Sequence, residues 1–307
     1  MYQTNIIHKI RKFINNRVLR TPGVEFLKKK PDLSERKRHI NFWLGRAKKK
    51  TSFKKFFFSD VDEGPKKIDY KFLEKEKDFP RINQSMFNSL SNNGILVIEN
   101  ALPEKERKLI IDFFQDLKDQ NYKKNRWLKK PTNPGFFEQV NEIMGETKIN
   151  NFKSLNNLSN QFSKEIYGKI VEPTVQLRYL NQQSSETEEK TKGATYLHTD
   201  RFLPHFKIYY SPFEITIKDA PLEYLISSHK INDDFVNFYL NAKSFDETDK
   251  LFEKFDLQRK IVCVPENSLY VAFTNGFHRR TVFNGKSDRS LLFLQFVQRF
   301  NKLDYLI

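Results

Sequence analysis

Hydrophobic positions along the chain fall into two regimes, and the change comes near Pro173. Before it, apolar residues recur mostly at helical spacing. Ile6, Ile10, Phe13, Ile14 and Val18 make one stripe, Lys9, Arg11, Lys12, Asn15 and Asn16 mostly fill the other face, and Pro22-Gly23 ends it. Met86, Phe87 and Leu90 predict a short helix, and the run Gly94 to Ile98 a buried strand. Pro103 suits a first helical turn, and the stripe that follows it is Leu109, Ile110, Phe113, Phe114 and Leu117. Shorter helical patterns cover about 135–145 and 150–168.

After Pro173 the period becomes two. Val175, Leu177 and Tyr179 alternate with Gln176 and Arg178, which predicts a strand. A polar loop from Ser184 to Lys192 precedes an extended run from Ala194 to Ile208. Further strand-like segments lie at 208–217, 222–227, 260–264, 268–274, 278–283 and 289–299, with one helical insertion around Asp233–Phe255. Asn284-Gly285 between the last two segments predicts a hairpin. Helices first and antiparallel strands afterwards predict an α+β, mainly β architecture, a β-sandwich or jelly roll flanked by N-terminal helices.

Composition decides whether such a core can exist. Mean hydropathy is −0.67, yet the 307 residues include 30 Phe and 12 Tyr, enough aromatic surface to bury. The single cysteine, Cys263, excludes an internal disulfide and reads as core within Ile261-Val262-Cys263-Val264. No apolar run approaches the roughly 20 residues of a membrane span. Lys9, Arg11 and Lys12 break up any secretory signal, so the expected location is cytoplasmic.

The net charge of +16 is unevenly placed. Residues 1–58 hold 17 basic and 3 acidic side chains, while the rest of the chain holds 37 and 35. We therefore expect a basic N-terminal arm over 1–58 with an amphipathic helix, a charged linker over 59–80 and a catalytic-size domain over 81–307. The arm has three readings: an apolar stripe docked on the body, peripheral contact with an anionic membrane, or, less favoured, contact with nucleic acid phosphates.

Candidate chemistry centres on three residues. His198 and Asp200 are two apart on an extended run, so their side chains share one face and can share one metal. His278 follows 80 residues later, and Arg289 stands 11 residues beyond it. His-X-Asp with a distant His is the two-His-one-carboxylate pattern of non-haem Fe(II) oxygenases. It leaves coordination positions for a chelating oxo-acid and O₂. Arg289, across the predicted hairpin, has the planar fork that the oxo-acid's far carboxylate needs. Strand parity turns Tyr196 and Phe202 to the face of His198 and Asp200, and Arg280 to the face of His278, with Arg279 outward. An aromatic wall with a cation beside a metal suits an anionic small-molecule substrate. The competing reading pairs Arg280 with Glu223 or Asp288.

Over about residues 85–300 the sequence resembles the phytanoyl-CoA dioxygenase family of Fe(II)/2-oxoglutarate-dependent oxygenases. The resemblance is carried by "NNGILVIENALPEKE", "YLHTDRFLPHFKIYY", "DAPLEYLISSHK" and "GFHRRTVFNGKSDRSLLFLQF". It implies a double-stranded β-helix (jelly roll) core, Fe(II) on His198, Asp200 and His278, and 2-oxoglutarate on Arg289. It also offers Lys207, seven residues after Asp200, as a 2-oxoglutarate contact, against an ordinary strand lysine. The usual Gly-Pro-Leu reads Ala220-Pro221-Leu222 here, Pro-Gly-Ser-His reads Ile226-Ser227-Ser228-His229, and a frequent Gly is replaced around Glu266-Asn267. These departures touch turns rather than ligands, and the retained Asp200 argues against the related halogenases. His205 and His229 read as structural, and His8 and His39 belong to the arm. The expected function is hydroxylation of an unactivated C–H bond; the alternative is a non-catalytic jelly-roll protein acting through its basic arm.

Overall fold

A computed structural model of the chain describes residues 51–58, 69–72, 74–76, 79–119, 136–142, 152–183, 197–200, 204–233, 258–281 and 286–296, with single positions between 41 and 49 and at 236. The expected N-terminal helix, Tyr196, Phe202, most of the insertion after Asp233 and the Asn284-Gly285 turn lie outside the described residues.

Two antiparallel sheets face each other, with helices packed on the far side of the larger one. The large sheet contains β1 (Asp69–Phe72), β4 (Ile95–Glu99), β5 (Phe136–Glu142), β6 (Thr174–Gln183), β7 (Phe206–Ser211), β10 (Ser268–Phe273) and β12 (Lys286–Gln295). Its order is β1-β4-β10-β7-β12-β6-β5, antiparallel throughout except at the β1–β4 edge. The small sheet is β11-β8-β9, from β8 (Leu222–Leu225), β9 (Arg259–Val262) and β11 (His278–Arg280). A ribbon of β2 (Glu74–Glu76) and β3 (Phe79–Arg81) stands apart. The sheets remain open at their edges.

Alternation along the strands makes two cores. Leu96, Ile98, Phe206, Ile208, Leu269, Val271, Phe273, Leu292 and Leu294 pack towards the helices. Ile95, Val97, Tyr209, Tyr270, Ala272, Leu291 and Phe293 point the other way, against Leu222, Tyr224, Ile226, Val262 and Val264 of the small-sheet side. A sheet covered on both faces needs continuous apolar strands, which is why Ile95 to Ile98 reads as an unbroken run.

Among the described residues the long helices are α1 (Gln84–Asn93), α2 (Glu104–Asp119) and α3 (Lys153–Tyr167). Asn83 caps α1 by accepting from the Met86 N–H at 3.0 Å, and Gly94, at φ +78°, ends it with its N–H on the Leu90 carbonyl. In α2, Ile110 and Phe114 are buried while Leu109, counted in the apolar stripe, is exposed. Phe152 gives α3 no side-chain cap. The buried Glu106 of α2 does so instead, accepting from Leu155 N–H at 2.9 Å and Ser154 N–H at 3.0 Å. Asn267 takes a left-handed φ of 57° and fastens β10 to the start of α2, its amide donating to the Leu102 carbonyl and its oxygen accepting from Tyr210.

Several expectations change. The segment expected as helix over 135–145 is strand β5, since pairing with β6 overrides local propensity. The expected linker contains β1, which joins the large sheet through β4. The arm's end is core: residues 51–58 are helical, and Phe53, Phe56 and Phe57 are fully buried. Phe57 packs 4.6 Å from Phe273, and its carbonyl accepts from Ile231. Charge counting places this segment in the arm because Lys54 and Lys55 conceal its aromatic face. Among the described residues the extended run to Ile208 shows a bridge at His198 and regular strand from Phe206. The predicted 278–283/289–299 hairpin is absent among the described residues: β11 pairs with β8 in the small sheet, and β12 with β6 and β7 in the large one. Among the described residues no helix is long and apolar enough to cross a membrane.

Candidate metal centre

His198 and His278 form an isolated antiparallel bridge that adds one position to the edge of the small sheet. Each backbone N–H donates to the other residue's carbonyl at 2.9 Å, so both imidazoles leave the same face, with ring centroids 4.6 Å apart. Asp200 is fixed separately. Its N–H donates to the Thr274 carbonyl at 2.8 Å, and the Thr274 N–H donates to His205 at 2.8 Å, clipping both ends of residues 200–205 to the end of β10. The three side chains converge: Asp200 Oδ1 is 3.9 Å from His198 Nε2, and Asp200 Oδ2 is 3.7 Å from His278 Nε2. One ligand atom from each lies within 4.8 Å of the other two.

The protonation states suit a cation. His278 Nδ1 lies 2.9 Å from the Gly276 carbonyl, which can only accept, so the proton sits on Nδ1 and Nε2 carries the free lone pair. Burial lowers its pKa to about 4, aided by the charges of His198 and Lys207 and opposed by Asp200. Burial alone would raise the Asp200 pKa, but Lys207 and the imidazoles of His278 and His198 outweigh it and hold the carboxyl well below its usual range. At neutral pH the cluster is therefore a carboxylate with a neutral His278. The contacts of His198 and His278 use different oxygens of Asp200, and with one donor atom from each residue within 4.8 Å of the others the three side chains can converge on a single cation. The residues fit a divalent metal.

Lys207 is buried on the inner face of β7, its ammonium 2.5 Å from Asp200 Oδ2 and 5.0 Å from the Phe293 ring centroid. Arg289 lies on β12, the neighbouring strand of the same large sheet. Its parity on β12 is that of Leu291 and Phe293, which face the inner core. Nη1 donates to the Ala220 carbonyl at 2.6 Å, while Nε is buried with no hydrogen-bond acceptor among the described residues. Ala220 itself adopts a left-handed φ of 48°, the conformation glycine would take without strain. Register places Arg280 opposite Leu222, on the face of His278 and Tyr224, and Arg279 opposite Glu223. The Glu223 carboxylate is hydrogen-bonded by Arg279 Nε and lies 3.8 Å from Arg259, and the side chain of Asp288, the other carboxylate weighed for Arg280, lies outside the described residues.

His205 and His229 are both buried. His205 Nδ1 meets Thr274 Oγ1 at 2.6 Å, and His229 Nε2 donates to the Ser91 carbonyl at 2.9 Å. Cys263 is half-buried rather than core. Sequence reasoning missed the residues that orient the cluster, Thr274 and Gly276. The spacing Gly276-Phe277-His278 was their visible signal, since a glycine two residues before a ligand marks a close approach.

No family model and no curated protein sequence matches the chain. Among solved structures, AviO1 from Streptomyces viridochromogenes superposes with a TM-score of 0.50 at 11% identity, over 70% of this chain and 94% of that one. At that identity the likeness concerns the fold alone. The non-haem alpha-ketoglutarate-dependent carbocyclase SnoK gives 0.45 at 11% identity, over 74% and 91% of the two chains. HygX from Streptomyces hygroscopicus, a structure with nickel and 2-oxoglutarate bound, gives 0.42 at 14% identity, over 70% and 87%. These two are too distant to carry an argument about this chain.

Proposed function

We propose that the chain is an Fe(II)/2-oxoglutarate-dependent oxygenase of the phytanoyl-CoA dioxygenase type, built on a jelly roll, that hydroxylates a small anionic organic molecule. The observation that carries this reading is the convergence of His198, Asp200 and His278 at one end of the gap between two sheets, with Arg289 facing the same gap. The strand order supports the jelly roll, since β6, β12, β7 and β10 make one face, and the His198 bridge, β11, β8 and β9 the other.

Fe(II) with 2-oxoglutarate and O₂ supplies C–H oxidation: substrate, 2-oxoglutarate and O₂ become hydroxylated substrate, succinate and CO₂. The chain's part is to hold the metal on His198, Asp200 and His278, and the far carboxylate of 2-oxoglutarate on Arg289. Asp200 and Lys207 form a neutral pair, so a dication enters a buried site that offers it no net negative charge. The dianionic oxo-acid balances that charge, and each therefore strengthens the other's binding. Arg280, on the face of His278, supplies the cation for an anionic substrate group, and Tyr196 and Phe202 the apolar wall.

The test is anaerobic addition of Fe(II) and then 2-oxoglutarate to the full chain, followed by visible absorption and, with O₂ admitted, by succinate formation. Wild type gains a weak charge-transfer band and forms succinate. His198→Ala, Asp200→Ala and His278→Ala lose both while keeping the thermal transition, and Arg289→Lys keeps iron but weakens 2-oxoglutarate at least tenfold. Wild-type succinate yield from any alanine variant removes the assignment.

A further inference from the structure

Lys207 places a charge on the inner face of the large sheet. In the ladder it stands on β7 between Ala272 of β10 and Gln295 of β12, with the inner parity of Tyr209. Its neighbours Phe206 and Ile208 turn to the helices and are fully buried. The lysine side chain is 10% exposed, so the ammonium is held inside instead of reaching into bulk water.

Two groups set where that ammonium goes. The Phe293 ring of β12 has its centroid 5.0 Å from Nζ, a cation–π distance, and Asp200 Oδ2 lies 2.5 Å from Nζ. The aspartate is anchored separately, because Thr274 accepts its N–H and donates to the His205 carbonyl at the other end of the same loop. Lysine and carboxylate thus meet from two independently fixed pieces of backbone.

This contact makes the two carboxylate oxygens unequal. Oδ1 faces His198 Nε2 at 3.9 Å, whereas Oδ2 is shared between His278 Nε2 at 3.7 Å and the closer lysine. The Asp200 side chain is 24% exposed, yet Oδ2 itself is buried, so the exposure belongs to the rest of the group. Oδ2 cannot serve a dication without setting two cations on one oxygen, where like charges repel strongly away from water. Oδ1 carries no such competitor among these contacts.

We propose that Lys207 is a positioning residue of the metal centre: it keeps Oδ2 of Asp200 occupied, so that the carboxylate offers a divalent cation one oxygen rather than a chelating pair. The inference rests on the metal centre of the oxygenase reading and on neither its oxo-acid nor its substrate. A carboxylate that gives one oxygen leaves a coordination position for an outside ligand that a chelating carboxylate would close. The lysine's charge also opposes the cation's. Losing Lys207 should therefore tighten metal binding and crowd the metal together, the opposite of losing a structural prop.

The experiment loads the full-length protein with Mn(II) and counts its bound waters by water-proton relaxation and by EPR line broadening in isotope-enriched water. Wild type should keep about three waters, the complement of three single donors on an octahedral ion. Lys207→Met keeps an unbranched side chain without its charge. It should bind Mn(II) about tenfold more tightly and keep about two waters, and Lys207→Arg, which restores a cation, should return both values towards wild type. About two waters in wild type overturns the proposal without any variant, so the test survives a Lys207→Met chain that fails to fold. Weaker Mn(II) binding by Lys207→Met, or a count unchanged at about three, also overturns it and leaves the metal centre standing. Wild type that takes up no Mn(II) removes the metal centre, and this proposal with it. Wild type with about three waters, the expected variant response and no affinity for 2-oxoglutarate upholds the role of Lys207 and removes only the oxygenase reading.

Discussion

Gly276→Ala probes the wall behind the metal centre. A Cβ at this position would lie 2.2 Å from the Tyr224 hydroxyl oxygen, 2.9 Å from its Cζ and 3.0 Å from the Phe273 carbonyl oxygen. Tyr224 is fully buried and has nowhere to retreat, because a Cβ on Gly94 would also approach its hydroxyl, at 2.4 Å. The substitution therefore costs about 1–3 kcal/mol of overpacking. Displacing the hydroxyl from the Phe273 carbonyl adds about 1–3 kcal/mol for a buried donor left unpaired. We expect a net loss of about 3 kcal/mol, which for a chain of this length lowers Tm by about 6 °C. Metal binding should weaken about ten- to a hundredfold, since the Gly276 carbonyl holds His278 Nδ1 and moves with the backbone. Urea unfolding of the single variants and of Gly276→Ala/Tyr224→Phe separates clash from other causes. Removing the hydroxyl takes away the closest contact, so the double variant should recover about 1–2 kcal/mol relative to additivity. Additivity to within about 0.5 kcal/mol, or wild-type metal affinity in Gly276→Ala, would refute the reasoning.

Two further outcomes follow from buried groups remote from the metal. Glu106→Gln places an amide where two N–H groups of α3 now find carboxylate oxygens, and removes a charge from that helix's N-terminus. It should cost about 1–2 kcal/mol in urea unfolding, and an unchanged midpoint would show that α3 needs no cap from α2. Burial, with the charge of Lys230 adding to it, holds the His229 pKa well below the ordinary imidazole value of 6.5, against opposing backbone hydrogen bonds. Its folded value is depressed, so its contribution to stability is complete above pH about 6.5 and is lost as pH falls towards the folded value, the unfolded chain taking a proton that the folded one refuses. Wild type should thus lose stability between pH 6.5 and 5 more steeply than His229→Gln, and parallel profiles would exclude His229 as the cause.

What could be read from sequence divides along physical lines. Val175 and the apolar block from Ile95 to Ile98 are buried, and burial is what the folded sheet imposes on those positions. The boundaries of α1 were legible because Asn83 and Gly94 perform local tasks, a cap and a left-handed turn. Segment 136–142 was not, because a strand at a sheet edge owes its conformation to a partner some 40 residues away. Phe53, Phe56 and Phe57 failed for another reason. Their charged neighbours dominate any window of the chain, whereas the core responds only to the side that faces it. Asp200 and Lys207 are seven residues apart, a step that gives no sign of the 2.5 Å contact between their charges.

The interval from His278 to Arg289 shows how a spacing can suggest the wrong geometry between two residues that do face one gap. In a hairpin both side chains would belong to one sheet, and the arginine would lie beside the metal cluster on a continuous surface. Here the chain leaves β11 in the small sheet and returns as β12 in the large one. Arg289 consequently faces the gap from the side of Leu291 and Phe293, while His278 belongs to the side of Tyr224. Anything that joins the two must span the space between sheets rather than lie along one of them. The inner core therefore sets the distance between metal cluster and arginine, as Tyr224, Val262 and Val264 on one side bear against Tyr209, Tyr270 and Phe293 on the other. Close packing resists small changes in that distance, so whatever bridges the two sheets meets a spacing the core has fixed.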